Sequence, residues 1–187
     1  MIKVGYFLVL MTIYLALQDN LMYANLTGIS TQPQFHLWVV CHIIICTFYY
    51  TTHTLYLFQM IQRKGKKESF LIFITAIIMI IASLCPYTIQ GQDIFSKIHV
   101  YCSIIGSLSF LCIIKYFLFL LSSSHYEIYQ KYHWIYDFSL QFLAIMFIVF
   151  GRVNSYLEII YAIIMTLFPI YITQKIKATL EQKSSDQ

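Results

Sequence analysis

Six apolar stretches, separated by short polar breaks, run along the chain at approximately 4–22, 38–61, 70–89, 98–121, 134–151 and 155–174. A hydrocarbon core about 30 Å thick needs about 20 mostly apolar residues as helix. Backbone groups in that core must be satisfied within their own segment, which predicts helices rather than strands. Isoleucine is abundant in these stretches, and burial in lipid overrides its modest helix propensity. The pattern predicts an all-α, polytopic membrane protein: a six-transmembrane-helix bundle occupying residues 1–187 as a single integral membrane domain. The connections are short apart from 23–37, and the polar 122–133 segment reads as cytoplasmic. None is long enough to fold as a soluble domain.

Composition sharpens the picture. Apolar residues make up 59% of the 187 and charged residues 11%, less than half the roughly 25% of a soluble domain. So little charge is too little to cover a water-facing surface. Disorder, a collagen-like chain and a basic nucleic-acid binder are thereby excluded. The five cysteines, an odd number without a CxxC motif, argue against a disulfide scaffold and a zinc site. They read as small buried hydrophobes.

The first stretch carries an ambiguity. Lys3 and the apolar run from Val4 to Leu17 resemble the start of a signal peptide, and Met22-Tyr23-Ala24 passes as a poor cleavage site. The large Met22 and the single charged side chain ahead of the run favour a retained helix.

Basic residues set the expected orientation. The cluster Arg63-Lys64-Gly65-Lys66-Lys67 places the second connection in the cytoplasm. Alternation of six helices then brings Lys3, Lys131, Lys175, Lys177 and Lys183 to the same side, and Lys115 reaches it by snorkelling. Ten of the twelve basic residues lie inside, with Lys97 and Arg152 outside. Both termini are expected in the cytoplasm.

Candidate chemistry concentrates on the second and fourth stretches. His42, Cys46, Tyr49 and His53 follow intervals of four, three and four, and so form one stripe of a helix. Polar groups at membrane depth face the bundle interior. The stripe reads as a ligand pocket or a proton path, or as packing in which each imidazole finds a carbonyl or hydroxyl partner. The fourth stretch carries His99, Ser103 and Gly106. Small residues at four-residue spacing there predict close helix packing at Gly106. His99 lies at a depth similar to His42, and the two are expected to face one outward recess. Near the rims, Lys115 and Asp137 are expected to pair, and Glu158 lies close to Arg152 across a tight turn.

Other signatures are weak or missing. Ligation of two haems needs paired histidines at two depths, and His99 is the single histidine within the fourth stretch, so the inner pair is incomplete. There is no HExxH, GxSxG or phosphate-binding glycine loop, and no cofactor, metal or catalytic residue is implied. Asn25-Leu26-Thr27 is a glycosylation sequon.

One local pattern carries a resemblance. Cys85-Pro86-Tyr87 closes the third stretch, and Ser96-Lys97-Ile98-His99 opens the fourth after a short outer loop. Over about 25 residues this resembles six-helix membrane proteins of the damage-regulated autophagy modulator type and their bacterial relatives of unknown function. The resemblance implies a six-helix bundle acting in lipid organisation, trafficking or signalling without established catalysis, with Pro86 and His99 as the matching positions.

The expectation is a non-enzymatic, multi-pass membrane protein that binds a lipid or small amphipathic ligand, or supports a membrane protein partner or a second copy, through a recess between the second and fourth helices. The alternative is a small proton- or cation-coupled transporter or channel using the intramembrane histidines.

Overall fold

The computed structural model describes residues 2–63, 65–88 and 92–185. Lys64 of the basic cluster and Ile89, the expected end of the third stretch, lie outside the described residues. The described chain is all-helical: α1 (Ile2–Ala16), α2 (Leu26–Ser30), α3 (Pro33–Met60), α4 (Lys66–Leu84), α5 (Ile94–Ser124), α6 (Tyr126–Phe150) and α7 (Ser155–Ser185). Five of them, α3 to α7, are long and apolar enough to cross a membrane. At about 1.5 Å per residue, the 15 residues of α1 fall short of 30 Å by themselves.

Local chemistry explains where the helices depart from the apolar stretches. Helix α1 stops at Ala16, six residues early, because Asp19 and Asn20 turn the chain: Asp19 Oδ1 accepts from the N–H of Asn20 and Asn20 Oδ1 from that of Met22. Helix α3 starts early, with Pro33 in its first turn, where a missing N–H costs nothing. Helix α4 ends at Leu84 because Pro86 holds Cys85 in an extended conformation. Asp93 caps α5 by accepting from the N–H of Ser96 at 2.8 Å. The 122–133 segment is not a polar loop. Ser122 and Ser123 continue α5 and return their hydroxyls to the carbonyls of Phe119 and Leu120, and α6 begins one residue after the His125 junction. Gly151, at φ 64°, ends α6 in the left-handed conformation that glycine adopts readily.

The six longer helices pack as a ring in the order α1–α7–α6–α5–α4–α3, closed by α3 against α1. Helix α3 also touches α5 and α7 across the ring, which makes it the central helix. Helix α2 covers one end. The tight core lies toward the other end, nearer both termini, and includes Phe58, Phe110, Phe117, Leu121, Tyr136 and Ile172. A smaller cluster of Leu15, Leu26, Ile29 and Val39 sits beneath α2. Helix α6 is buried only in its first half, at Ile128, Tyr132 and Tyr136. Its second half has no fully buried residue, although Leu140 and Leu143 still rest against the core.

Two glycines set the closest approaches. A Cβ on Gly106 would fall 2.6 Å from Met79 Sδ of α4. One on Gly5 would fall 2.5 Å from Tyr49 Oη and 2.7 Å from Ile170 Cδ1, so α1 is wedged against α3 and α7 there. Of the cysteines only Cys46 is buried, and Cys41 and Cys112 are exposed on the outer face of the bundle.

Candidate functional site

The stripe on α3 is buried throughout, at His42, Cys46, Tyr49 and His53, but it divides between two neighbours. His42 turns toward α1. The Thr12 hydroxyl donates to the Leu8 carbonyl at 3.0 Å, which commits its one proton, so its oxygen accepts from His42 Nε2–H at 2.9 Å. Cys46 Sγ lies 3.5 Å from the same ring. His53 turns toward α7. Its Nδ1 meets the Tyr49 hydroxyl and its Nε2 the Thr173 hydroxyl, each at 3.1 Å. Both ring nitrogens of His53 are therefore engaged, one as donor and one as acceptor in the neutral ring.

His99, buried on α5, has a separate role. Its Nδ1 lies 2.7 Å from the Ala82 carbonyl and 3.2 Å from that of Cys85. Carbonyls only accept, so Nδ1 carries the proton and satisfies the last turn of α4, whose carbonyls have no partner within the helix. Nε2 lies 3.0 Å from the Thr27 hydroxyl of α2, in hydrogen-bond contact with it. His99 thus joins α2, α4 and α5.

A recess of about 220 Å³ opens beside this junction, lined by α2, the first turns of α3 and the end of α4 with Cys85, Pro86 and Tyr87. Helix α5 contributes His99 alone, so the recess does not lie simply between the second and fourth apolar helices as expected. His99, His36, Thr27 and Thr31 give it polar groups, and Val39, Val40 and Ile43 an apolar wall. His42 does not line it. It lies on another side of α3, against α1, so His42 and His99 do not share one recess. His36, six positions earlier, takes that place, with its Nδ1 3.0 Å from the Ser30 carbonyl. His36 precedes the second apolar stretch, and the signal that could have placed it on α3 is Pro33, a residue favoured at the first position of a helix. Pro86 and Tyr87 also line the recess, and the Tyr87 ring lies 5.5 Å from the His99 ring. Ser103 is half-buried and lines no part of it.

The rim charges are placed differently from one another. Lys115 and Asp137 form an ion pair between α5 and α6, with side chains 44% and 34% exposed. Glu158 and Arg152 do not pair. Glu158 Oε2 accepts from the N–H of Leu26 at 2.6 Å, one of the α2 donors without an intrahelical partner. Arg152 lies over the Tyr23 ring at 4.7 Å from its centroid. The Asn25 side chain caps α2 through the N–H of Gly28 at 2.7 Å, which gives the sequon asparagine a structural task.

No group of three or more His, Cys, Asp or Glu side chains able to hold a metal occurs among the described residues. Comparison of the chain with protein-family models, with curated proteins and with solved structures returns no match.

Proposed function

We propose that this is a non-enzymatic, multi-pass integral membrane protein with six spans and both termini in the cytoplasm, and that it binds a small amphipathic molecule or the end of a lipid in the recess bounded by α2, α3, the end of α4 and His99 of α5. Support for a sixth span comes from α1, which buries Gly5, Leu8, Thr12 and Leu15 against the bundle. Without it, His42 would lose its Thr12 partner. Seating a buried polar side chain is itself a reason for helices to associate in lipid, where apolar burial gives no drive.

The observation that carries the binding reading is the recess itself. Polar groups from α2, α3, α4 and α5 (Thr27, His36, Ser83 and His99) line it together with the apolar Val39, Val40 and Ile43 of α3, the composition of a small-molecule site. Its volume is below the roughly 300–1,000 Å³ of drug-sized pockets, which matches a short amphipath or one chain end. Pro86 and His99, the positions behind the resemblance to the autophagy-modulator type, both border it, in keeping with a role in lipid organisation.

The transporter reading draws less support, because His42 and His53 belong to two hydrogen-bonded groups on different neighbouring helices. The test is native mass spectrometry of the full chain with short-chain lysolipids and fatty acids. Val40→Trp, which fills the recess, should abolish binding. Equal binding by the variant would refute the reading.

A further inference from the structure

A second cleft, of about 500 Å³, shares only Tyr87 with the recess. It lies beside the C-terminal part of α6, the early turns of α5 and the segment before α2. Val100 and Ile104 of α5 and Phe147 of α6 form its walls, and Arg152, Tyr23 and Asn25 stand at its rim. Val100 and Ile104 lie one turn apart on α5, about 6 Å. The cleft therefore joins an apolar wall to the polar groups of Arg152, Tyr23 and Asn25.

Arg152 gives the cleft its chemistry. Its guanidinium carbon lies 4.7 Å from the centroid of the Tyr23 ring, a contact that uses the charge and none of the acceptor-seeking N–H groups. No carboxylate lines the cleft, and the ion pair found among the described residues is Lys115–Asp137, elsewhere. No group among the described residues accepts a hydrogen bond from Arg152. A guanidinium with five unused donors at the head of an apolar cleft matches the charge and fork geometry of a phosphate.

We propose that this cleft binds a membrane phospholipid with an anionic headgroup, its phosphate held by Arg152 and one acyl chain lying between α5 and α6. The inference rests on the reading of the chain as membrane-embedded but not on occupancy of the recess. A lipid is the committed occupant because the walls below Arg152 offer apolar contact and no further cation.

The experiment titrates the full chain, in neutral detergent, with phosphatidylglycerol and phosphatidylcholine of matched chains and reads the bound lipid by native mass spectrometry. A melting curve first confirms that each variant folds. The wild type should prefer phosphatidylglycerol. Arg152→Gln should weaken that lipid about tenfold, while Arg152→Lys, which keeps the charge but loses the two-pronged fork and the contact with Tyr23, should fall between the wild type and Arg152→Gln. Ile104→Trp should weaken both lipids by blocking the chain. Lys97→Gln, at the same end but outside the cleft, should leave the preference intact. Unchanged binding by Arg152→Gln, an equal loss with Lys97→Gln, or full competition by inorganic phosphate would overturn the proposal. So would loss of phosphatidylglycerol binding in Val40→Trp, which would place the lipid in the recess and leave the proposed function standing.

Discussion

Glu158 and Leu26, 132 positions apart, are joined by a hydrogen bond of 2.6 Å from the backbone N–H of Leu26 to the Glu158 carboxylate. It fastens the first turn of α2 to the first turn of α7. Two further bonds reinforce it, from the N–H and the hydroxyl of Ser155 to the Ala24 carbonyl at 2.9 and 3.1 Å. Helix α2 has five residues, too few to persist alone. Its place over the recess depends on these ties and on the His99–Thr27 bond.

Removal of the carboxylate should therefore release α2. Glu158→Ala should cost about 1–3 kcal/mol and speed amide exchange at 26–29, whereas Glu158→Gln, which keeps an acceptor, should lie between. Hydrogen exchange read by mass spectrometry checks this. Unaltered exchange at 26–29 in the alanine variant would show that α2 is held by its apolar contacts.

The two tight glycines should respond unequally. A methyl group on Gly5 meets Tyr49, Ile170 and Thr166, side chains of two helices, and Gly5→Ala should destabilise by about 1–3 kcal/mol. At Gly106 the nearest atoms belong to the flexible Met79 side chain, which can swing aside, so Gly106→Ala should be milder and Gly106→Leu severe. Folded yield and melting in detergent give the order. Greater loss with Gly106→Ala than with Gly5→Ala would contradict the packing described for α1.

The histidines on α3 should not conduct protons. Liposomes loaded with a pH-sensitive dye should show no protein-dependent flux, with no difference between the wild type and His42→Ala or His53→Ala. A flux abolished by either substitution would promote the transporter reading.

Orientation can be read at the α3–α4 turn. In a variant with the five native cysteines replaced, Gly65→Cys should resist impermeant thiol reagents in intact cells and react after permeabilisation, if the basic cluster faces the cytoplasm as proposed. Labelling in intact cells would reverse the topology.

A pH response is expected at the α5 cap. The Ser96 hydroxyl at 2.6 Å, the Ser96 N–H at 2.8 Å and the Thr88 hydroxyl at 2.7 Å all donate to Asp93, and they hold its carboxyl well below the usual carboxylate range. A carboxyl depressed in the folded state adds stability above its ordinary value of about 4, and that stability fades as pH falls toward the folded value. The melting temperature of the wild type should exceed that of Asp93→Asn at pH ~6, and the gap should narrow by pH ~3. A gap independent of pH would mean the aspartate caps without its charge.

The sequence by itself determined the helical class and the position of five apolar spans, since apolar runs of this length leave the backbone one way to satisfy its polar groups. It also placed His42, Cys46, Tyr49 and His53 on one buried stripe, because helical periodicity depends on local spacing alone. Partners were a different matter. That His42 meets Thr12 while His53 meets Thr173, that His99 caps α4, and that Glu158 takes Leu26 instead of Arg152 all join residues distant along the chain. Each follows from which helix faces do the packing. Short polar cues went unread for the same reason. The α2 turn gains its stability from tertiary bonds, and Gly5 is legible as a contact point only once Tyr49 and Ile170 lie against it. Tertiary structure decided the two cavities as well. The recess is bounded by α2, α3 and the end of α4, and the cleft by α5, α6 and the segments around Tyr23 and Arg152, and no spacing along one helix records the distance to another.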